Sequence, residues 1–305
     1  MEILATPAAT IPRYMTVHQV AEYLQLNEKK VYALVNEQRL PATKVTGKWM
    51  FPRELVDQWL LESSHKGLLM DRLTVAGPDD FLLLKCMGQL QQRNANHALI
   101  AFVHMGTRTA LELLAAGRVD VAMVNWGPSD QSQVRHPALL DMHKGKDHWI
   151  LVRGLRRELG VIFRTQGNRQ SPRDWQSLAQ GRWCQHSSED GTWRFLQESA
   201  AANGIDLAQL EFSCRVENER ESAARITSYQ ADFCCGPRSL ASQFGLGFLS
   251  LGYENLDFAM ARGIWFRRMF QMVLETLRQK TCRELSDQLG GYEYDELGEL
   301  VWGDY

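Results

Sequence analysis

The hydrophobic positions first take up a helical rhythm at Val17, Val20, Ala21 and Leu24, one apolar face of a short helix Val17 to Leu24 with Thr16 as its N-cap. Gln25, Leu26 and Asn27 then form a turn. Asn27 caps a second helix, about Glu28 to Glu37, which buries Val31, Leu34 and Val35 and leaves Lys29, Lys30, Tyr32 and Asn36 to solvent. Two short helices about a three-residue turn make a helix-turn-helix. The period changes after Leu40-Pro41-Ala42: Thr43-Lys44-Val45 and Lys48-Trp49-Met50-Phe51 read as two short strands about a Thr46-Gly47 turn, a wing. Pro52 opens a closing helix Arg53 to Glu62 with Leu55, Val56, Trp59 and Leu60 facing inward. Met1 to Tyr14, interrupted by Thr and Pro, is expected to be a frayed tail.

Ser63 to Leu69 reads as a short polar connection, and beyond it strands and helices alternate to the end. Strands are expected at Leu73 to Gly77, Ala98 to Val103 and Val121 to Asn125, with helices Pro78 to Arg93 and Arg108 to Ala116 between them. The second half repeats the texture: strands Leu159 to Phe163 and Gly181 to Gln185, helices Thr192 to Asn203 and Glu221 to Ser228, then the apolar Phe233 to Cys235. Such alternation predicts a mainly parallel sheet covered on both faces. "ALELLAAGRVDVAMV" and "ESAARITSYQADFCC" each run from an amphipathic helix through an Asp-bearing turn into a strand of small residues, which predicts two similar lobes closing on a ligand.

Composition narrows the partners. With 305 residues, 45% hydrophobic and 23% charged, the chain can build substantial cores, roughly two domains' worth. A net charge of −2 excludes a polycation, so any nucleic-acid contact must be local. Between Met15 and Arg53, Lys29, Lys30, Arg39, Lys44, Lys48 and Arg53 outnumber Glu22, Glu28 and Glu37, placing positive charge where a helix and wing would meet phosphates. No apolar run reaches membrane-helix length and the opening residues lack a secretion pattern, so a cytoplasmic location is expected. The six cysteines form no C-x-x-C pair and are expected to be reduced and mostly buried, the vicinal Cys234-Cys235 included.

The run "MTVHQVAEYLQLNEKKVYALVNEQRLPATKVTGKWMFPRELVDQWL" resembles the excisionase/MerR-like winged helix-turn-helix family. From about Leu73 to Trp302, "AAGRVDVAMV", "LGVIFRTQGNRQSPRDWQSLAQGRW", "DGTWRFL", "YQADFCCGP", "LGFLSLGYENLDFAM" and "LGGYEYDELGELVW" resemble the periplasmic-binding-protein-like substrate domain, related to molybdate-binding and LysR-type effector domains. The resemblance implies a small α+β winged helix-turn-helix at 15–65 followed by an α/β two-lobed, type II domain at 70–305, with lobe I about 70–152 and 255–305 and lobe II about 153–254. It implies a ligand held by loops at strand ends and by helix starts. His104, Gly106, Thr107, Asn125 and Trp126 would supply one side, and Ser187, Ser188, Gly191, Thr192, Arg194, Cys235 and Gly236 the other. A molybdate- or tungstate-like oxyanion is the ligand that the family suggests. Glu189 and Asp190 before Gly191 depart from its usual Gly-Thr-Arg and oppose an anion, while Trp126, Trp193 and Trp183 could box an uncharged or cationic organic molecule.

No G-x-S-x-G, Walker or H-E-x-x-H motif offers catalysis, no cofactor is expected, and His136, His143 and His148 lack a convergent zinc spacing. The sequence therefore reads as a bacterial one-component transcriptional regulator, a homodimer on a two-fold operator, with a small-molecule effector. The alternative is a ligand-binding or molybdenum-cofactor-related accessory protein whose N-terminal domain binds a protein partner.

Overall fold

The structure is a computed structural model that describes residues 12–37, 40–64, 72–95, 98–165, 172 and 174–304. Its front unit contains β1 (Tyr14–Thr16), α1 (Val17–Leu24), α2 (Glu28–Asn36), β2 (Thr43–Val45), β3 (Lys48–Pro52) and α3 (Arg53–Ser64). Thr16 Oγ1 accepts the Gln19 amide while the Gln19 side chain accepts the Thr16 amide, a reciprocal cap that fixes where α1 begins. Asn27 Oδ1 accepts the Lys30 amide at 2.7 Å and starts α2. Thr46 and Gly47 both have positive φ, 47° and 83°, the two-residue turn whose twist suits a hairpin. Met15, Val20, Val31, Leu40, Phe51 and Val56 make the core of this unit.

Two expectations need correcting here. Tyr14 is not tail: Tyr14–Thr16 is a third strand, antiparallel to β3, with Met15 opposite Phe51 so that both enter the core. Leu60 is exposed; Val56 and Trp59 do pack on the front core, and Leu55 and Trp59 also face Gly263 and Phe266 of the second unit. Of the expected connection Ser63 to Leu69, residues 63 and 64 belong to α3, while residues 65–69, like Arg39, lie outside the described residues.

In the second unit β4 (Arg72–Gly77), α4 (Phe81–Arg93), β5 (Leu99–His104), α5 (Thr107–Ala115), β6 (Val121–Val124) and α6 (Ser132–Asp141) build the first lobe. β7 (Trp149–Phe163) then crosses to the second lobe. That lobe holds α7 (Trp175–Leu178), β8 (Arg182–Gln185), α8 (Gly191–Ala202), β9 (Glu211–Arg215), α9 (Glu219–Thr227), β10 (Phe233–Pro237) and α10 (Arg238–Phe244). β11 (Gly247–Ala261) returns, and α11 (Arg262–Trp265), α12 (Arg268–Arg278), α13 (Lys280–Leu289), β12 (Tyr292–Glu293) and β13 (Leu300–Trp302) complete the first lobe.

The sheet is mixed rather than mainly parallel. Ten strands join in the order β5-β4-β6-β11-β7-β10-β8-β9, with β12 and β13 also paired to β7. β4 is parallel to β5 and β6, and β8 is parallel to β9 and β10, but β7 and β11 are antiparallel along their whole length, Trp149 opposite Ala261 and Phe163 opposite Gly247. This two-stranded ribbon runs through both lobes and carries the chain between them, the position a hinge would occupy. Its register breaks at Leu251 and at Gly154, where a Cβ would lie 2.0 Å from the Leu256 carbonyl oxygen, so only glycine fits the second break.

Apolar packing explains the rest of the first lobe: Phe270, Val273, Leu274 and Leu277 of α12 lie over Leu73, Val75, Phe258 and Met260 of the sheet. Here Cys86 and Cys282 are joined by a disulfide between α4 and α13, contrary to the expectation that all six thiols are reduced. Replacing both cysteines by serine is expected to lower unfolding stability by about 2–5 kcal/mol. Urea denaturation checks this, and a midpoint equal to that of the parent protein would show that the bond does not hold the helices.

Candidate functional site

Capping and core packing orient α2 so that Val31, Leu34 and Val35 point inward while Lys29, Lys30 and Tyr32 stand exposed on the opposite side. Lys44 and Lys48 are exposed on the hairpin. Lys29, Lys30 and Lys48 have no carboxylate partner among the described residues, leaving their charge available to phosphate. Lys44 is placed differently. Its ammonium lies 5.5 Å from the Trp49 ring centroid, and both side chains line a crevice of about 350 Å³ against Trp265 and Phe266 of the second unit.

Between the lobes the expected helix starts face each other instead of an opening. A Cβ on Gly191 would lie 1.9 Å from the Asn125 carbonyl oxygen, and one on Gly106 would lie 2.5 Å from that of Glu189. Close approach of the two lobes is what these glycines permit. Thr107 Oγ1 lies 2.8 Å from Asn125 Oδ1 and accepts the Asn125 amide at 3.2 Å, and Asn125 Nδ2 donates to Glu254 at 3.2 Å. On the other side Thr192 Oγ1 donates to Glu219 at 2.9 Å. The rim is closed by Arg220 on Asp79 at 2.8 Å, Arg135 on Glu198 at 2.6 Å and His104 Nε2 at 2.9 Å from the Glu217 carbonyl oxygen.

At the centre of the seam is Arg157, 1% exposed, on the hinge strand β7. Its Nε donates to Glu254 at 2.7 Å, Nη1 to Asp80 at 3.1 Å and Nη2 to Glu219 at 2.8 Å. Asp80 caps α4 in the first lobe, Glu219 opens α9 in the second, and Glu254 lies on the other hinge strand. One guanidinium therefore ties four elements together. It cannot neutralise three carboxylates, and burial pushes Glu219 up to about 8, only partly opposed by Arg157. Burial also raises Glu254. Beside them, burial opposes a charge on His186, but Asp190 overrides it and holds the imidazole above its ordinary value.

The expected ligand residues thus divide. His104, Gly106, Thr107, Asn125, Gly191 and Thr192 come together at the seam. Ser187 and Ser188 sit on an exposed loop, and Arg194 turns to solvent and pairs with Glu198 at 2.6 Å, one helical turn on. Cys235 and Gly236 are buried in β10. The tryptophans do not form a box: Trp126 packs in the first-lobe core with Arg108 stacked 4.9 Å from its ring centroid, while Trp183 and Trp193 pack in the second-lobe core against Phe233 and Phe212. Asp190 was singled out as a carboxylate beside the Gly191 helix start, but Asp80, Arg157, His186, Glu219 and Glu254 were not anticipated. Their one sequence signal is Arg156-Arg157-Glu158 embedded in the apolar run "WILVRGLRRELGVIF".

A second buried network was also missed. His136, fully buried, accepts the Trp126 amide through Nε2 at 3.1 Å and faces Asp257 through Nδ1 at 2.7 Å, which requires the Nδ1–H tautomer when the ring is neutral. Arg153 completes the group on Asp257 at 2.8 Å. Above it a polar cavity of about 350 Å³ is lined by Asp130, Arg153, Arg156, Asn255, Glu293 and Glu296, among others. Cys234 and Cys235 are buried, and desolvation raises both thiols, Cys234 to about 12.

A capped helix pair with a wing, followed by a two-lobed α/β clamp on a double hinge, defines a DNA-binding module joined to a ligand-binding module. The family model for a helix-turn-helix domain matches residues 14–64, and that for a PBP superfamily domain matches residues 88–278. The chain belongs to the PBP superfamily. No curated protein sequence matches it. Among solved structures it is similar to an H2O2-bound OxyR mutant from Corynebacterium glutamicum, at 11% identity and TM-score 0.52, over 89% of this chain and 90% of that one. It is also similar to the CcmR regulatory domain of Synechocystis PCC6803 in complex with 2-PG, at 12% identity and TM-score 0.52, over 68% of this chain and 98% of that one. These likenesses establish the fold.

The buried cluster makes two quantitative expectations. Arg157→Met leaves three carboxylates without their cation and is expected to cost about 3–5 kcal/mol in urea unfolding. Glu219 binds its proton more tightly folded than unfolded, so its contribution to stability is complete below about pH 4.5 and falls as the pH rises toward about 8. The melting-temperature difference between the parent protein and Glu219→Gln should therefore shift against the parent across that window. A difference constant with pH would refute the assignment.

Proposed function

We propose that this protein is a cytoplasmic, one-component transcriptional regulator that acts as a homodimer, its helix-turn-helix reading operator DNA and its two-lobed domain sensing a small molecule. The observation that carries this reading is the route from the hinge to the reader. β11, which holds Glu254 at the seam, passes without a linker into α11, and Gly263 of α11 packs on Leu55 and Gln58 of α3. Opening of the lobes would bend the ribbon, shift α11 and so reorient the paired readers. A coupling of about 1–3 kcal/mol would change operator affinity roughly 5–150-fold.

A single module of this size buries only about 600–1,000 Å² on DNA, which supports two copies on a two-fold site. Lys29, Lys30 and Tyr32 would meet the major groove, Lys48 the flanking phosphates, and Arg39 and Lys44 its margins. In gel shifts on the region upstream of its own gene, Lys30→Ala with Lys48→Ala is expected to reduce the slope of log affinity against log salt by about two units, at ~0.9 per phosphate. An unchanged slope would reject those contacts, and absence of any shifted DNA would favour the accessory-protein reading.

For the effector, Asp80, Asp190, Glu219 and Glu254 at the seam favour a cationic or neutral organic molecule over the molybdate- or tungstate-like oxyanion that the family suggests. With burial pushing Glu219 up to about 8 and raising Glu254, the seam's carboxylates still offset Arg157 and His186 and leave no uncompensated cation for an oxyanion to meet. Thermal-shift screening distinguishes the two, because a ligand at 100 times its dissociation constant adds about 2.7 kcal/mol to the folded state. Amines are expected to raise the melting temperature. A rise with molybdate, tungstate or sulfate would overturn the charge argument while leaving the regulator reading intact.

A further inference from the structure

Four cysteines lie outside the disulfide, and three of them, Cys184, Cys214 and Cys234, belong to one apolar cluster on the α9 side of the second-lobe sheet. Cys184 on β8 and Cys214 on β9 are register partners in neighbouring parallel strands, and their sulfurs lie 3.6 Å apart. Adjacent strands are spaced about 4.7–4.9 Å, inside the range of Cα separations that a disulfide spans, so bond formation needs a side-chain rotation and no movement of the sheet. The two thiols differ in access. Cys184 is fully buried, whereas Cys214 is half-buried on the edge strand of the sheet, where a small solute can reach it. Burial pushes the Cys184 thiol well up, which leaves Cys214 as the sulfur to react first; the nearby Arg182 and Arg225 are already paired with Asp232 at 3.1 Å and Glu221 at 2.7 Å. A partly exposed sulfur with a second sulfur at van der Waals distance behind it is the geometry that a reversibly oxidised thiol pair requires.

We infer that Cys214 and Cys184 form an oxidisable dithiol whose substrate is a small hydroperoxide, Cys214 being attacked first and Cys184 resolving. The Cys214 sulfur displaces on the peroxide O–O bond, so that an S–O bond forms and one oxygen leaves as water after taking up the thiol proton. The Cys184 sulfur then attacks the Cys214 sulfenic acid: the S–S bond forms, the S–O bond breaks, and the hydroxide leaves as water with the Cys184 proton. Two thiols and one hydrogen peroxide become one disulfide and two waters. Cys234 and Cys235 take no part, since Cys235 belongs to the cluster on the other face of the sheet and Cys234 is buried within strand β10. The bond would also bear on the seam, because Cys184 Sγ lies 3.9 Å from the Ser222 carbonyl oxygen on α9, whose first residue is Glu219.

The test uses the full chain, freshly purified with its Cys86–Cys282 disulfide intact, exposed briefly to equimolar hydrogen peroxide, denatured, alkylated and mapped by mass spectrometry. The expected result is loss of two of the four alkylatable thiols, recovery of a peptide linking Cys184 to Cys214, and return of both thiols after dithiothreitol. Cys184→Ser should stall at a sulfenic acid on Cys214, captured by dimedone, while Cys234→Ala leaves the linkage unchanged. Oxidation spread over Cys234 or Cys235, a dimedone adduct on Cys184 in the Cys214→Ser protein at the parent rate, or four intact thiols after treatment would each overturn the proposal.

Discussion

A single buried guanidinium organises the larger unit. Arg157 reaches Asp80 in one lobe, Glu219 in the other and Glu254 on the neighbouring hinge strand, and the closed arrangement of the lobes depends on these contacts being made together. Burying such a group is costly in itself, and a hydrophobic side chain of similar volume would often be no less stable. What the charged cluster adds is directional contact: α4, α9 and the ribbon are held on one guanidinium in the closed arrangement. Burial, with the neighbouring carboxylates adding to it, pushes Glu219 and Glu254 toward the protonated form, against the opposing pull of Arg157. The closed seam is not fully satisfied, since His104 Nδ1 and His186 Nε2 are buried there without a hydrogen-bond partner among the described residues.

Around that seam the division of labour is clear. The parallel strand triplets and their helices make two rigid halves, each with its own core, and the ribbon of β7 and β11 is the covalent connection between them. Pairs such as Arg135 with Glu198 and Arg220 with Asp79 lie at the rim, partly exposed, and add little to stability individually. They rank below Arg157 as barriers to opening. The reader sits at the end of the same ribbon, held through α11 by Leu55, Gln58 and Trp59, so the sensing and reading halves share one mechanical element.

How much of this was legible in the sequence depended on whether a local pattern carried it. The front unit was, because Thr16, Asn27, Thr46-Gly47 and the apolar spacing of α1 and α2 are all local signals. In the second unit the βαβ halves were legible for the same reason, and so were the glycines and threonines at the helix starts. The hinge was not. β7 is buried along almost its whole length and so lacks alternation, and Arg153, Arg156, Arg157 and Glu158 interrupt its apolar run, so only Leu159 to Phe163 stood out as a strand. The cluster at the seam escaped for a related reason. Asp80, Glu219 and Glu254 are far apart in the chain and meet only once the lobes close. Cys86 and Cys282, separated by 196 residues, are brought together by the packing of α4 and α13, which no spacing rule anticipates.

The ribbon also sets the chain's architecture in another respect. Because the polypeptide leaves the first lobe along β7 and comes back beside it along β11, everything between them is an excursion whose entry and exit lie side by side. Segments of that kind are the ones proteins accept as replaceable parcels. The outer lobe could be exchanged for one with different pocket walls while the inner lobe and the reader docked on it stayed as they are, leaving new chemical inputs to drive an old genetic output.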